Sequence, residues 1–264
     1  MPSLRALSPW PAGWSRQRRS AATMAASVFG MIVVLWGLAR VVALAPEPIG
    51  SNAQAFAEGA RMTVALTVVS GLVGILLGIV AALGKISRVP PLRWIASLYV
   101  WMIRGTPLLI QVFFAYFALP QLVPFVKLEE FGWACVALAL NVGAYNAEAI
   151  RAGLLAVPRG QIEAARSLGL NRWYTFIDVT LPQAFKIALP PLVNNIVALL
   201  KDSSLASVIG LVELTNTADL LRAKTYLPIP SLVTSASIYL LLTTVMTQFS
   251  GAVERRFDIE DKLS

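Results

Sequence analysis

The sequence has no histidine and a single cysteine, Cys135, in 264 residues. Imidazole acid–base chemistry, intrachain disulfides and Cys/His zinc sites are therefore excluded, and many enzyme mechanisms go with them. Acidic residues are scarce, 14 against 22 basic ones, which leaves a formal net charge of +8. Charged residues make up only 14% of the chain, where soluble domains carry about a quarter. Apolar residues take their place: 57% of the chain is hydrophobic and the mean hydropathy is +0.69. That is the composition of an integral membrane protein. A basic chain that binds nucleic acid gathers its cations on one soluble face. Here they stand between apolar runs, so no nucleic acid partner is expected.

A membrane-spanning helix needs about 20 mostly apolar residues. Six stretches qualify, at 24–45, 60–84, 94–119, 131–150, 188–210 and 232–250, so the expected fold is an all-α integral membrane protein with about six transmembrane helices. If the spans alternate in direction, fifteen of the 22 basic residues fall on one side. These are Arg5, Arg16, Arg18 and Arg19; Lys85, Arg88 and Arg93; Arg151, Arg159, Arg166, Arg172 and Lys186; and Arg255, Arg256 and Lys262. The positive-inside rule then places both termini and the interruption at 151–187 in the cytoplasm. Ala43-Leu44-Ala45 resembles a signal-peptide cleavage site, but the preceding apolar run exceeds the usual 7–15 residues and Pro46 follows the cut. An uncleaved first helix is the expectation.

In the second span Thr63, Thr67, Ser70, Gly74 and Gly78 recur at helical spacing. Small residues let helices approach closely in lipid, either within the chain or between subunits. The glycines and lysine from Gly78 to Lys85 do not make a phosphate loop, because the spacing is one residue too long and Ile86 stands where Ser or Thr is required. No ATP site is expected in this chain.

The interruption contains a charged, amphipathic block. Pro158-Arg159-Gly160 signals a turn, Ile162, Ala165 and Leu168 form one apolar stripe, and Gly169 stands where a helix C-cap would. Asn171 can cap a second helix with Trp173, Phe176 and Ile177 on one face, before Pro182 disrupts it. Two short helices with a bend at the glycine are predicted. By amphipathicity alone they could equally lie on lipid headgroups.

The residue identities go further. Glu163-Ala164-Ala165, three residues, Gly169, nine residues, then Val179-Thr180-Leu181-Pro182 resembles the EAA loop of bacterial ABC importer permeases. The one departure is valine where isoleucine is commoner. Arg104-Gly105-Thr106-Pro107-Leu108-Leu109, the run from Asn141 to Gly153 and Leu200-Lys201-Asp202-Ser203-Ser204-Leu205 are similar to the branch that takes up polar amino acids. The resemblance covers roughly 55–257, and it implies a transmembrane domain there that includes the loop 158–182. It leaves 1–54 as a basic N-terminus plus an extra helix, and 258–264 as a cytoplasmic tail. It implies a five-helix type I importer core in the bacterial inner (cytoplasmic) membrane, with Glu163, Ala164, Ala165, Gly169 and Pro182 in a coupling helix that docks on an ATPase. The implied partners are two cytoplasmic ATPase subunits that bind ATP and Mg, a second permease (identical or homologous), a periplasmic or extracellular amino-acid-binding protein, and membrane lipid. The chain itself would hold no cofactor and be no enzyme.

Polar side chains within spans are costly and mark function. Asn141, Tyr145 and Glu148 form one stripe down the fourth span, with Asn141 and Tyr145 expected on the substrate path. Glu148 and Arg151 are three residues apart and can pair structurally. In the fifth span Asp202 could take an ammonium group, with Asn141 and Ser203 as hydrogen-bonding partners. Lys201 and Asp202 could instead neutralise charges on other helices. Thr106-Pro107 should interrupt the third span and leave Arg104 near its cytoplasmic end, in a gating or packing role; Gln111 is a further path candidate. A self-contained secondary transporter or channel would also explain the spans and charges, but it leaves the loop without a purpose.

Overall fold

The computed structural model describes residues 15–257. Arg5, Lys262 and the expected tail 258–264 lie outside the described residues. Within them every regular element is helical. Helix α1 (Arg16–Val42) starts on the Ser15 hydroxyl, which accepts from the Arg18 amide at 3.3 Å. Helix α2 (Ala53–Ile86) follows, its 34 residues giving it a length of roughly 50 Å at 1.5 Å per residue. Then come α3 (Pro90–Arg104), α4 (Leu108–Phe113), a π-helical stretch Phe114–Ala118, α5 (Leu119–Leu122) and α6 (Glu130–Leu155).

Four helical stretches are long and apolar enough to cross a membrane: Arg18–Val42, Gly50–Ile86, Arg172–Ile209 and Pro228–Arg256. The expected span 94–119 is not one helix. It divides at residues 105–107 into two arms, Pro90–Arg104 and Leu108–Leu122, set at 111° to each other. Pro107 has no N–H to continue the ladder, so the chain turns there. The expected span 131–150 is α6, 26 residues long. It is not among the four stretches that qualify by length and apolarity.

The block predicted as two short helices begins as expected. Helix α7 (Arg159–Ser167) ends in a Schellman turn: Gly169 has φ +85°, the Leu170 amide donates to Ala165 at 3.2 Å and the Gly169 amide to Arg166 at 3.0 Å. Asn171 caps α8 (Arg172–Tyr174), its side-chain oxygen accepting from the Tyr174 amide at 3.0 Å. Pro182, however, does not end the second helix. A π-helical stretch, Thr175–Thr180, absorbs the missing donor, and the helix runs on into α9 (Leu181–Asp202). The loop and the fifth span are therefore one bent rod.

Lys201 and Asp202 are the last residues of α9, and a 3-10 turn, Ser203–Ile209, follows within the same apolar stretch Arg172–Ile209, so both lie inside the fifth span as expected. Helix α10 (Leu214–Thr225) and helix α11 (Pro228–Arg256) complete the chain. The most extensive packing is between α2 and α6, then between α6 and α9, with α1 laid along α11. The small-residue stripe of α2 is buried and serves packing within the chain. A Cβ on Gly78 would stand 2.6 Å from the Asn146 Cβ of α6, so only glycine permits this approach.

Candidate functional site

Two regions gather the singled-out residues. The first is the α7–α8 turn. Glu163, Ala164, Gly169 and Pro182 are exposed, while Ala165 is buried and anchors α7. The predicted apolar stripe is only partly packed: Ile162 is half-buried, but Leu168 is 84% exposed. Leu168 follows the last turn of α7, where the chain reverses into the glycine, and it points away from the helices behind. Trp173 and Tyr174 are exposed beside it. The spacing predicts an apolar stripe through Leu168 and an apolar face through Trp173; both side chains are exposed.

The second region is a cavity of about 450 Å³ between α2, α3 and α6, lined by Lys85, Ser97, Trp101, Arg104, Tyr145 and Glu148 among others. The expected Glu148–Arg151 pair is present: the carboxylate accepts from Arg151 Nε at 3.0 Å and Nη2 at 2.7 Å. It also pairs with Lys85, which sequence reasoning had treated only as a topological charge. With two cations on one carboxylate, the Glu148 charge is fully engaged. Arg104 lies over the Tyr145 ring, 5.2 Å from its centroid. Among the described residues it makes no ion pair. Lys85 and Arg104 against Glu148 leave the cavity walls net positive.

Asn141 and Gln111 are joined, the Asn141 amide donating to Gln111 Oε1 at 2.9 Å. Gln111 Nε2 in turn donates to the Ile103 carbonyl at 2.7 Å and to the Thr106 carbonyl at 3.0 Å. These are acceptors left unpaired where α3 ends. The pair therefore braces the 111° elbow. Asp202 is half-buried and, among the described residues, makes no hydrogen bond or ion pair. Ser203 is fully buried and donates to the Leu200 carbonyl at 2.8 Å, so its hydroxyl is already used. The structure does not join Asp202 to Asn141 or Ser203 by a hydrogen bond.

Glu213, which sequence reasoning passed over, is completely buried. Its carboxylate caps α10 through the amides of Thr215 (2.9 Å) and Asn216 (2.8 Å). It also accepts from Tyr239 at 2.8 Å and Thr63 at 3.3 Å, tying α2, α10 and α11 together. Burial pushes its carboxyl above the usual glutamate range, and these hydrogen bonds pull the other way. The available signal was its place just before a helix start, but glutamate is not a favoured cap and gave no alert.

Residues 74–259 match the family model described as "Binding-protein-dependent transport system inner membrane component". The chain is 42% identical over 204 residues to the arginine transport system permease protein ArtQ of Bacillus subtilis, covering 77% of this chain and 93% of that one. It is 41% identical over 201 residues to the L-cystine transport system permease protein TcyB of the same organism, covering 76% and 85%. A solved structure of an amino acid ABC transporter with histidines aligns with a TM-score of 0.73 at 39% identity, covering 78% of this chain and 95% of that one. An inward-facing MetNI methionine ABC transporter shares the fold at 20% identity, with a TM-score of 0.68 over 81% and 99%. On the span of the family match and the level of these identities, the chain belongs to the inner membrane components of binding-protein-dependent transport systems.

Proposed function

We propose that this chain is the permease subunit of an ATP-driven ABC importer that moves polar amino acids across the inner membrane by alternating access. The observation that carries the reading is the exposed α7–α8 turn. It presents Glu163 and Ala164 beside Leu168, Trp173 and Tyr174. Apolar side chains in a charged rim mark a contact surface, and Gly169 fixes the angle at which it is offered. Its occupant is a cytoplasmic ATPase subunit, one of two that bind ATP and Mg and hydrolyse the nucleotide. The positive-inside rule puts this turn and both termini in the cytoplasm. A binding protein delivers substrate at the opposite face, and a second permease completes the path. The amino acid class follows from the named relatives.

Inside the chain, Arg104 lies over Tyr145 and, among the described residues, makes no ion pair; in place of the gating or packing role expected for it, it receives the carboxylate of an amino acid. Asp202 remains the candidate for its ammonium group. Charge-assisted hydrogen bonds contribute about 1.5–3 kcal/mol, so Arg104→Gln should raise the KM for uptake roughly tenfold or more. The coupling role is tested by Glu163→Ala and Gly169→Pro in the assembled complex. Proline is locked near φ −65° and cannot adopt the +85° of Gly169. ATP hydrolysis should persist while uptake is lost. Full coupling in both variants would sink the assignment.

A further inference from the structure

The turn from α2 to α3 carries two cations with no local counter-charge. Arg88 and Arg93 are exposed, and among the described residues neither side chain makes an ion pair or a hydrogen bond. The sequence holds no acidic residue between Glu58 and Glu129. Glu148, the carboxylate of the neighbouring cavity, is already held by Lys85 and Arg151. Residues of α2 and α3 beside the two arginines border a groove of about 510 Å³ whose walls are almost wholly carbon, including Leu77, Val80, Leu83, Leu92 and Ile95. Ser87 and Leu92, the chain neighbours of Arg88 and Arg93, line it too, so both arginines stand in the chain beside residues of the groove wall. Trp94, an amphipathic ring suited to the headgroup level, is 73% exposed at the same end.

We infer that this groove is a binding site for an anionic phospholipid, with the phosphate on Arg88 and Arg93 and an acyl chain along α2 and α3. The apolar walls suit a hydrocarbon chain, and the paired cations supply what an uncharged headgroup or an apolar helix would leave unanswered. A helix from a second copy would fill the groove but leave both guanidiniums without a counter-ion. The inference does not depend on which solute is transported.

The test is lipid retention by the full chain in its native assembly, purified in mixed micelles of equimolar phosphatidylglycerol and phosphatidylcholine and then exchanged into lipid-free detergent. Each basic side chain near an anionic headgroup is worth roughly fivefold, so two give a preference of up to about thirtyfold for phosphatidylglycerol. Arg88→Gln with Arg93→Gln should bring the retained ratio close to one. Val80→Trp, which fills the groove from an exposed position, should lower the retained amount of both lipids. Arg255→Gln with Arg256→Gln should leave the ratio unchanged. Equal retention of the two lipids by the wild type would overturn the site. So would a Val80→Trp variant that retains as much lipid as the wild type, which would mean that protein covers the groove. An equal loss of preference in the Arg255/Arg256 pair would reduce the effect to diffuse attraction and overturn it as well.

Discussion

Gly153 stands where α6 meets α9, immediately before the turn that offers Glu163 and Leu168. A Cβ there would lie 2.6 Å from the Ala184 carbonyl oxygen, 2.9 Å from the Ala188 Cβ and 3.2 Å from the Ala188 amide nitrogen. Non-bonded carbon contacts are comfortable at about 3.5–4.0 Å, so Gly153→Ala must push the two helices roughly 1 Å apart. The obstructing atoms are helix backbone and a methyl carbon, and none can rotate away. Overpacking of this kind costs about 1–3 kcal/mol. Gly160 is the internal control: it lies in α7 with nothing within 4 Å of its added Cβ, and alanine is favoured over glycine in a helix by about 0.5–1 kcal/mol. For a chain of this size each kcal/mol moves the midpoint by roughly 2–4 °C. Thermal unfolding of the assembled complex should therefore show Gly153→Ala lower by about 2–12 °C, and Gly160→Ala at or above the wild type. Because the displaced ends flank the turn that we propose couples to the ATPase, solute moved per ATP hydrolysed should also fall in Gly153→Ala. A Gly153→Ala complex with wild-type midpoint and stoichiometry would refute the claim that this contact is rigid.

Glu148→Gln removes the carboxylate between Lys85 and Arg151 and leaves two cations facing each other. All three side chains keep some solvent access, at 18–33%, so the loss should be about 2 kcal/mol, short of that for a fully buried pair. Raising the ionic strength should recover part of it in a melting series. Glu213 holds its proton to higher pH when folded than when unfolded, because burial raises its pKa. Its contribution to stability is therefore full below the unfolded value, about 4.3, and is lost as pH rises through the raised folded value. Glu213→Gln should remove this slope and gain on the wild type as pH rises; parallel melting curves from pH 4 to 7 would contradict it.

Four of the six expected spans were legible because about 20 apolar residues have few other uses, and the Glu148–Arg151 pair because spacing of three fixes neighbours on one helix. Lys85 was not, since its partner lies 63 residues away and its charge already had a topological explanation. Thr106-Pro107 announced a break, but no local rule sets the 111° between the arms. Pro182 announced a disruption of the helix, and the π-helical stretch Thr175–Thr180 is that disruption, but no composition signal showed that the helix would run on through it. Glu213 was missed for a related reason: beside two local amides, its solvation is replaced by the hydroxyls of Tyr239 and Thr63, 26 and 150 residues away.

The packing also locates the change of shape that transport requires. Helix α6 is held against α2 at Gly78 and against α9 at Gly153, where added methyl groups would fall within 2.6 Å of their neighbours. Contacts this close leave no slack, so α2, α6 and α9 must move with the coupling turn as one body. The elbow is different. An apolar cavity of about 480 Å³ lies among Tyr99, Ile103, Ile110, Phe114 and Leu140, and the bend is braced mainly through Gln111. Helix α3 is tied to the same body, at Gly84 against Ala96 and through the Tyr99 hydroxyl on the Leu140 carbonyl, so deformation concentrates at 105–107 and the arm Leu108–Leu122 turns against α3. Spin labels on exposed positions make this measurable. A pair at Leu122 and Leu155 should change separation when the ATPases bind ATP, while a pair at Leu72 and Leu155 keeps its distance. If the second pair moves as much as the first, α2 and α6 are not one body and the elbow is not the hinge.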